Sequence, residues 1–158
     1  MTKFIKQENI KKIIEKEKQQ NKKIVCVNGC FDIIHVGHIR YLRSAKALGD
    51  ILVVALNSDI SIQKIKGKNR PILAFEDRIQ ILEAFEMIDY IVGFDEETAD
   101  NILKIIRPDI QAKGTDYTKE NVPERHLLGK YVREIAIVGD PKDHSTKDII
   151  KEIIKRYS

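Results

Sequence analysis

Two histidines three residues apart, His35 and His38, are the residues of this chain best suited to chemistry. Gly37 lies between them, a β-branched run ending in Asn28-Gly29 precedes them, and a helix-forming run follows. Positions i and i+3 share a face of a helix, so both imidazoles are predicted to point the same way from its first turn. The amino end of a helix suits phosphate. The spacing favours a polyphosphate-binding turn over its alternative, a buried histidine pair satisfied by backbone groups.

Further polar clusters follow predicted strands or open predicted helices. They comprise residues 57–59, residues 113–117, and the pair Ser145 and Thr146. In parallel sheets, ligands bind at the carboxyl ends of the strands, near the point where the strand order reverses. We therefore expect one ligand to meet the histidine turn and all three clusters. Ser145 and Thr146 are also predicted to cap the helix that they open.

A basic loop is predicted over residues 64–71, with cations at Lys64, Lys66, Lys68 and Arg70. One interpretation is a mobile surface loop. The other is a loop that closes over a triphosphate, excludes water and supplies positive charge as pyrophosphate departs. Arg78, which follows in the next helix, is expected either to pair with Glu76 or to contact a ligand.

The elements that must position these residues alternate between strands and helices. This alternation predicts an α/β, Rossmann-like fold, in which a parallel sheet of about five strands carries helices on both faces. We expect one domain over residues 1–158, with a leading amphipathic helix within 1–22 and a catalytic core over 23–158. Strands are predicted at 24–28, 51–56, 90–92, 110–113 and 132–138, and helices at 3–20, 36–48, 75–85, 99–106 and 147–157. In the last helix, the isoleucines that are expected to pack inward are Ile149, Ile150, Ile153 and Ile154.

Composition excludes several classes of protein. The chain has 158 residues, of which 42% are hydrophobic and 33% are charged, and no apolar run approaches the roughly 20 residues that span a bilayer. No secretory signal is evident at the start of the sequence, so we expect a cytoplasmic protein. The net charge of +4 comes from lysines interleaved with glutamates, and aromatic residues make up 6%, which argues against a nucleic-acid surface. Cys26 and Cys30 do not have a zinc-site spacing and are expected to be packing thiols.

The segment from Asn28 to His38 reads Asn-Gly-Cys-Phe-Asp-Ile-Ile-His-Val-Gly-His and resembles the opening His-x-Gly-His signature of the cytidylyltransferase-like nucleotidyltransferases. Within them, the chain is similar to the adenylyltransferases that make ADP-heptose from heptose 1-phosphate. The later blocks that carry this likeness are Ala55–Asp59, Lys66–Pro71, Lys113–Tyr117 and Ser145–Ile150. The resemblance implies transfer of AMP from ATP to a sugar 1-phosphate with release of pyrophosphate. It also implies Mg²⁺ as the escort of the nucleotide and a homodimer, with no nucleic-acid or membrane partner.

The resemblance also assigns roles to individual residues. The catalytic residues are His35, His38 and Lys66. The nucleotide-binding residues are Asn28, Gly29, Cys30, Phe31, Gly37, Arg70, Lys113, Gly114, Asp116, Ser145 and Thr146. Candidate substrate contacts are Asp32, Asn57, Asp59 and Tyr117, and no protein ligand to a metal is expected. Asp32 has the alternative of capping the turn.

The chain departs from the family pattern at three positions. Thr115 stands where a second glycine is usual, His144 stands where a small or flexible residue is usual, and Lys147 stands where a hydroxyl is usual. His126 and His144 have no partner at ligand spacing in the sequence, so they are assigned no chemistry.

Other functions remain open from the sequence. The nearest is a cytidylyltransferase acting on glycerol 3-phosphate or phosphoethanolamine, and a flavin adenylyltransferase is a more distant one. The alternatives that are not enzymes are a nucleotide sensor and a basic RNA-binding module.

Overall fold

A computed structural model describes residues 2–141 and 144–158. Within these residues, five parallel strands form one sheet in the order β3-β2-β1-β4-β5. The strands are β1 (Ile24–Gly29), β2 (Ile51–Asn57), β3 (Tyr90–Phe94), β4 (Ile110–Lys113) and β5 (Glu134–Ile137). The predicted Rossmann-like class is confirmed, and the winding direction reverses between β1 and β4.

Six α-helices and one 3₁₀ helix are found among the described residues. They are α1 (Gln7–Gln19), α2 (Val36–Lys46), α3 (Asp59–Lys66), α4 (Phe75–Glu83), α5 (Asp100–Ile106), the 3₁₀ helix Pro123–Leu127, and α6 (Thr146–Tyr157). In the described part of the chain, none of these helices combines the length and the apolar character needed to cross a membrane.

The sheet is buried on both faces, as the continuous apolar runs of its strands predict. Ile24 and Cys26 face one cluster, which contains the apolar residues of α1 and α5. Val25 and Val27 face the opposite cluster, with residues of α2 and α4. Each fully buried aliphatic side chain contributes about 1.5–3 kcal/mol of hydrophobic stabilisation. The central strands are therefore a rigid base for the residues at their carboxyl ends.

The leading helix is shorter than the predicted span of 3–20. Ahead of Gln7, the backbone runs beside β3, where the Ile5 N–H donates to the Ile91 carbonyl at 2.8 Å and the Ile91 N–H donates to the Lys3 carbonyl at 2.9 Å. The Phe4 N–H donates to the Glu83 carboxylate at 3.0 Å. Phe4 and Ile5 fit the helical period, but the open edge of β3 offers their backbone strand-like partners instead.

The inward packing predicted for the last helix is wrong. Ile149 and Ile150 are half-buried, whereas Ile153 and Ile154 are 50% and 57% exposed, and α6 contains no buried residue. Helical periodicity shows that these side chains share a face, but it does not show that another element covers that face. Helix α6 is held at its amino end, where the Thr146 hydroxyl donates to the Ile33 carbonyl at 3.2 Å.

Candidate active site

A cleft of about 970 Å³ opens at the carboxyl ends of β1 and β4. This is the position that the reversal in strand order predicts for a ligand. Asp32 and Asp59 are the two predicted site residues that do not line it. The predicted site residues that line the cleft are Asn28, Gly29, Cys30, Phe31, His35, Gly37, His38, Asn57, Lys66, Arg70, Lys113, Gly114, Asp116, Tyr117, Ser145 and Thr146.

The two imidazoles cap the helix that they open. His35 is the N-cap of α2, and its Nδ1 accepts from the Gly37 N–H at 3.1 Å. The His38 Nδ1 in turn accepts from the His35 N–H at 3.2 Å, and the ring centroids lie 4.0 Å apart. Since Nδ1 is the acceptor in both rings, a neutral ring carries its proton on Nε2. The backbone thus sets the tautomer and makes each Nε2–H a donor.

Gly37 is required by the close approach of the His35 ring. A Cβ atom at position 37 would lie 2.8 Å from Cε1 and 2.9 Å from Nδ1 of His35. Any larger residue would have to push the ring away from the Gly37 amide. The glycine of the motif therefore fixes the orientation of the first imidazole.

A buried polar network forms the floor of the cleft. Lys113, at the end of β4, is 5% exposed, and its Nζ lies 3.2 Å from both the Asn28 amide oxygen and the Glu124 carboxylate. The Gln111 amide donates to the same Asn28 oxygen at 2.7 Å, and the Tyr117 ring lies 4.9 Å from the Lys113 ammonium. Because Glu124 offsets its charge, Lys113 holds Asn28 in place more than it supplies net positive charge to the cleft.

Asp32 anchors the basic segment instead of facing the cleft. Its carboxylate accepts from the amides of Ile72 and Leu73 at 2.8 Å each and from the Arg70 guanidinium at 2.9 Å. Burial alone would raise the pKa of Asp32, but these hydrogen bonds outweigh it and hold the pKa below its usual value. These partners lie at residues 70–73 and not in the histidine turn, so the contacts differ from the predicted turn cap, and Asp32 sets where Arg70 enters the cleft.

Asp59 likewise acts beneath the cleft, as the partner of Arg78. The buried Arg78 guanidinium donates to the Asp59 carboxylate at 2.8 Å and to the carbonyls of Cys30 and Asn57 at 2.7 Å each. The expected alternatives for Arg78, a pair with Glu76 or a ligand contact, are replaced by a clamp. This clamp joins the ends of β1 and β2 to α4.

The predicted loop over 64–71 is partly helical. Helix α3 continues to Lys66, and Gly67 ends it with a φ of +92°, a conformation that glycine adopts without strain. Lys66 and Arg70 line the cleft, whereas the Lys64 ammonium donates to the Asp95 carbonyl at 3.3 Å. Two of the four cations therefore reach the site.

Comparison with known proteins places the chain among nucleotide-handling folds. Residues 26–152 match the cytidylyltransferase-like family. The chain belongs to this family. Similar curated proteins are the Bifunctional protein HldE of Geobacter sulfurreducens, 45% identical over 145 residues, and that of Campylobacter fetus subsp. fetus, 47% identical over 135 residues. The alignments cover 92% and 85% of this chain but 30% and 29% of those proteins, so the chain spans about 30% of the relatives' length.

Two solved structures have a similar fold. The lipopolysaccharide core biosynthesis protein from Thermoplasma volcanium superposes with a TM-score of 0.64 at 30% identity, covering 77% of this chain and 99% of that one. The pantoate-beta-alanine ligase from Francisella tularensis superposes with a TM-score of 0.66 at 16% identity, covering 99% of this chain and 77% of that one. The predicted resemblance to cytidylyltransferase-like nucleotidyltransferases is confirmed by the family match.

Among the lining residues of this cytidylyltransferase-like site to which the sequence assigned no role are Glu124, His144 and Lys147. Glu124 reaches the floor from a 3₁₀ helix in a segment without hydrophobic periodicity, so nothing distinguished it from the many surface glutamates. His144 and Lys147 both line the cleft at the start of α6. Their departure from the family pattern was the only available signal for these two residues.

The two cysteine thiols differ in burial, and the described residues contain no cluster of metal ligands. Cys26 is fully buried, and burial raises the pKa of its thiol to about 12, so it is not a nucleophile near neutral pH. Cys30 is half-buried, lines the cleft, and offers its carbonyl to Arg78. Among residues 2–141 and 144–158, no group of three or more histidine, cysteine, aspartate or glutamate side chains is arranged to hold a metal ion.

Proposed function

We propose that this chain is an adenylyltransferase that transfers AMP from ATP to a sugar 1-phosphate, with heptose 1-phosphate as the first candidate acceptor. The observation that carries the proposal is the pair of His35 and His38, whose Nδ1 atoms cap the start of α2 and which lines a cleft of nucleotide size between β1 and β4. Similarity to HldE proteins over most of the chain supports the choice of substrates. We treat residues 1–158 as one catalytic domain in this proposal.

The chemistry requires little from the protein beyond position and charge. An oxygen of the sugar phosphate attacks the α-phosphorus of ATP in line. The new P–O bond forms as the bond to the β-phosphate oxygen breaks, and pyrophosphate leaves with that electron pair. The attacking oxygen is already anionic near neutral pH, so no general base is needed. Orientation and charge stabilisation then account for the rate.

The geometry of the cleft supports the following proposed roles. The Nε2–H groups of His35 and His38 donate to phosphate oxygens, where negative charge grows in the transition state. Lys66, at the carboxyl end of α3, contacts the β- and γ-phosphates. Arg70, fixed by Asp32, holds a phosphate with the remaining N–H groups of its guanidinium. The four groups act on a single chain of phosphates.

Magnesium fits this proposal as part of the nucleotide. Carboxylates also line the cleft, but no three of the described histidine, cysteine, aspartate or glutamate side chains are grouped to hold a metal ion, so we assign the ion to the triphosphate and its own water. When bound there, Mg²⁺ offsets charge on the departing pyrophosphate.

The assembly state belongs to the same proposal. We propose a homodimer, in accord with the family resemblance. Analytical ultracentrifugation measures it directly, and a monomer at micromolar concentration would remove the dimer from the proposal without affecting the chemistry.

Pyrophosphate release tests the reaction. ATP and CTP are each offered heptose 1-phosphate, glucose 1-phosphate, glycerol 3-phosphate and phosphoethanolamine, with FMN as a further acceptor for ATP. We expect turnover with ATP and a sugar 1-phosphate, and the ADP-sugar identified by mass spectrometry. Turnover that requires CTP and glycerol 3-phosphate or phosphoethanolamine would replace the proposal with the cytidylyltransferase alternative. Salt-sensitive RNA binding without competition by nucleotide would favour the alternative that is not an enzyme.

A further inference from the structure

We propose that His144 is a third phosphate-binding imidazole of the cleft, which contacts the triphosphate and then the departing pyrophosphate. This inference rests on the proposed function only in taking a nucleoside triphosphate as the ligand. It assigns a role to a residue to which the motif pattern gives none.

The position of His144 is the first observation. Its ring centroid lies 6.4 Å from that of His35, at an interplanar angle of 53°, and its side chain lines the cleft. A Cβ atom at Gly37 would lie 3.9 Å from the Cβ of His144, so the residue stands directly beside the motif turn. His35 thus has one imidazole 4.0 Å away, that of His38, and a second one 6.4 Å away.

The way α6 is attached is the second observation. The Ser145 hydroxyl accepts from the Asp148 N–H at 3.1 Å, and the Thr146 hydroxyl donates to the Ile33 carbonyl at 3.2 Å. The first bond caps α6, and the second fixes its amino end against the segment that leads into His35. His144 is therefore held at the cleft by the helix start that follows it.

The local charge favours an anion. The amino ends of α2 and α6 meet at the imidazoles, and each adds partial positive charge. Lys147 lines the same part of the cleft. The nearby Asp140 carboxylate lies 3.3 Å from the Arg40 guanidinium, which offsets its charge. Among the described residues, Asp116 and Asp148 are further acidic groups that line the cleft, and Asp148 lies in the first turn of α6.

A packing role does not account for His144. The residue is exposed and lies outside both hydrophobic clusters. Removal of an exposed ring changes folding stability little. A donor to a charged oxygen, by contrast, typically changes binding by about tenfold or more.

Binding to wild type and His144→Ala tests the inference, with ATP, pyrophosphate and AMP as ligands in the presence of Mg²⁺ and isothermal titration calorimetry as the measurement. We expect His144→Ala to weaken ATP and pyrophosphate by about tenfold and AMP by less than about twofold. His144→Lys restores most of the affinity, because its ammonium can also donate to the phosphate oxygens. The matched control is His126→Ala, which removes another exposed histidine, one that pairs with Asp100 at 2.7 Å.

The outcomes separate the two proposals. Unchanged affinity of His144→Ala for ATP and pyrophosphate overturns the inference, as does an equal loss for AMP. If wild type binds CTP instead of ATP, the adenylyl assignment fails, and the role of His144 is judged with CTP and CMP. If wild type binds no nucleotide, the proposed function fails and pyrophosphate alone decides the inference. Equal melting temperatures of the variants exclude loss of fold as the cause.

Discussion

The two helix starts that meet at the cleft are built in different ways. At α2, the capping groups are the imidazoles themselves, since the His35 Nδ1 accepts from the Gly37 N–H and the His38 Nδ1 accepts from the His35 N–H. At α6, Ser145 caps the helix through its hydroxyl, and His144 stands just outside it. At the first helix start, the same two side chains serve the structure and the proposed chemistry, whereas at the second these tasks fall to neighbouring residues.

This difference has consequences for substitution. At α2, a change that removes an imidazole also removes a cap, so stability and turnover should fall together. At α6, the cap and the imidazole can be removed one at a time. Helix α2 is also packed into the core through Leu42 and Ala45, whereas α6 has no buried residue. Damage at α2 should therefore reach the whole fold, and damage at α6 should stay local.

The largest effect is expected from His38→Ala. Loss of a donor to the developing phosphate charge should lower turnover by about 10²–10³-fold, and loss of the cap should cost about 1 kcal/mol of unfolding free energy. Steady-state pyrophosphate release and urea denaturation measure the two effects. His38→Asn is the matched variant, because its amide oxygen can replace Nδ1 as the cap acceptor while the imidazole donor is lost. A folded His38→Ala protein that keeps most of its turnover would refute the assignment.

Asp32→Asn should have the next largest effect, because Asp32 holds the segment from which Arg70 reaches the cleft. The variant loses the charge that accepts from Arg70, Ile72 and Leu73, and we expect a loss of about 2–3 kcal/mol in unfolding free energy at pH 7. The KM for the triphosphate should rise as Arg70 loses its fixed position.

The pH dependence of the Asp32 contribution has a definite sign. Folding lowers the pKa of Asp32, so its contribution is fully present above the unfolded value of about 4 and is lost as the pH falls through the lower folded value. The stability difference between wild type and Asp32→Asn should therefore be constant from about pH 7 to 5 and should shrink below about 4. A difference that grows on acidification would show that the carboxylate is not the stabilising form.

Gly37→Ala should act on α2 with a smaller effect. Its Cβ atom would meet the His35 ring at 2.8 Å, and the ring must rotate away from the Gly37 amide. We expect a loss of about tenfold in turnover, with the melting temperature nearly unchanged, because alanine favours the helix and offsets part of the lost cap. An NMR shift of the His35 ring resonances checks the displacement. Full activity would mean that the orientation set by Gly37 is not needed for catalysis.

The features that were predicted correctly are those that depend on a local sequence pattern. The strands at 24–28 and 51–56 are continuous apolar runs, and the histidine spacing predicted two rings on one side of a helix start. Of the site residues that the resemblance assigned, all except Asp32 and Asp59 line the cleft. The boundaries of helices were predicted less accurately. Helix α3 includes Lys66, and Phe4 and Ile5 lie beside the edge of β3 instead of in the leading helix.

The features that could not be predicted depend on tertiary neighbours. Asp32 and Asp59 are residues of a type that often contacts ligands. Their partners are instead Arg70 and Arg78, which are distant in sequence. Glu124 meets Lys113 only because the 3₁₀ helix folds back over the end of β4. The α6 isoleucines are exposed because no element among the described residues covers them. The periodicity of a single helix does not show whether another element covers its apolar face.

The smallest effect is expected from Ser145→Ala, which tests whether damage at α6 stays local. Loss of the hydroxyl that accepts from the Asp148 N–H should cost about 1 kcal/mol of local helix stability and raise amide exchange in the first turn of α6 about fivefold. The global melting temperature should move less than in His38→Ala, because no buried residue of α6 couples it to the core. Ser158→Ala, at the other end of the same helix, is the control for loss of a serine hydroxyl. A fall in melting temperature as large as that of His38→Ala would place α6 in the same cooperative unit as α2, and the contrast between the two helix starts would then lie in their chemistry alone.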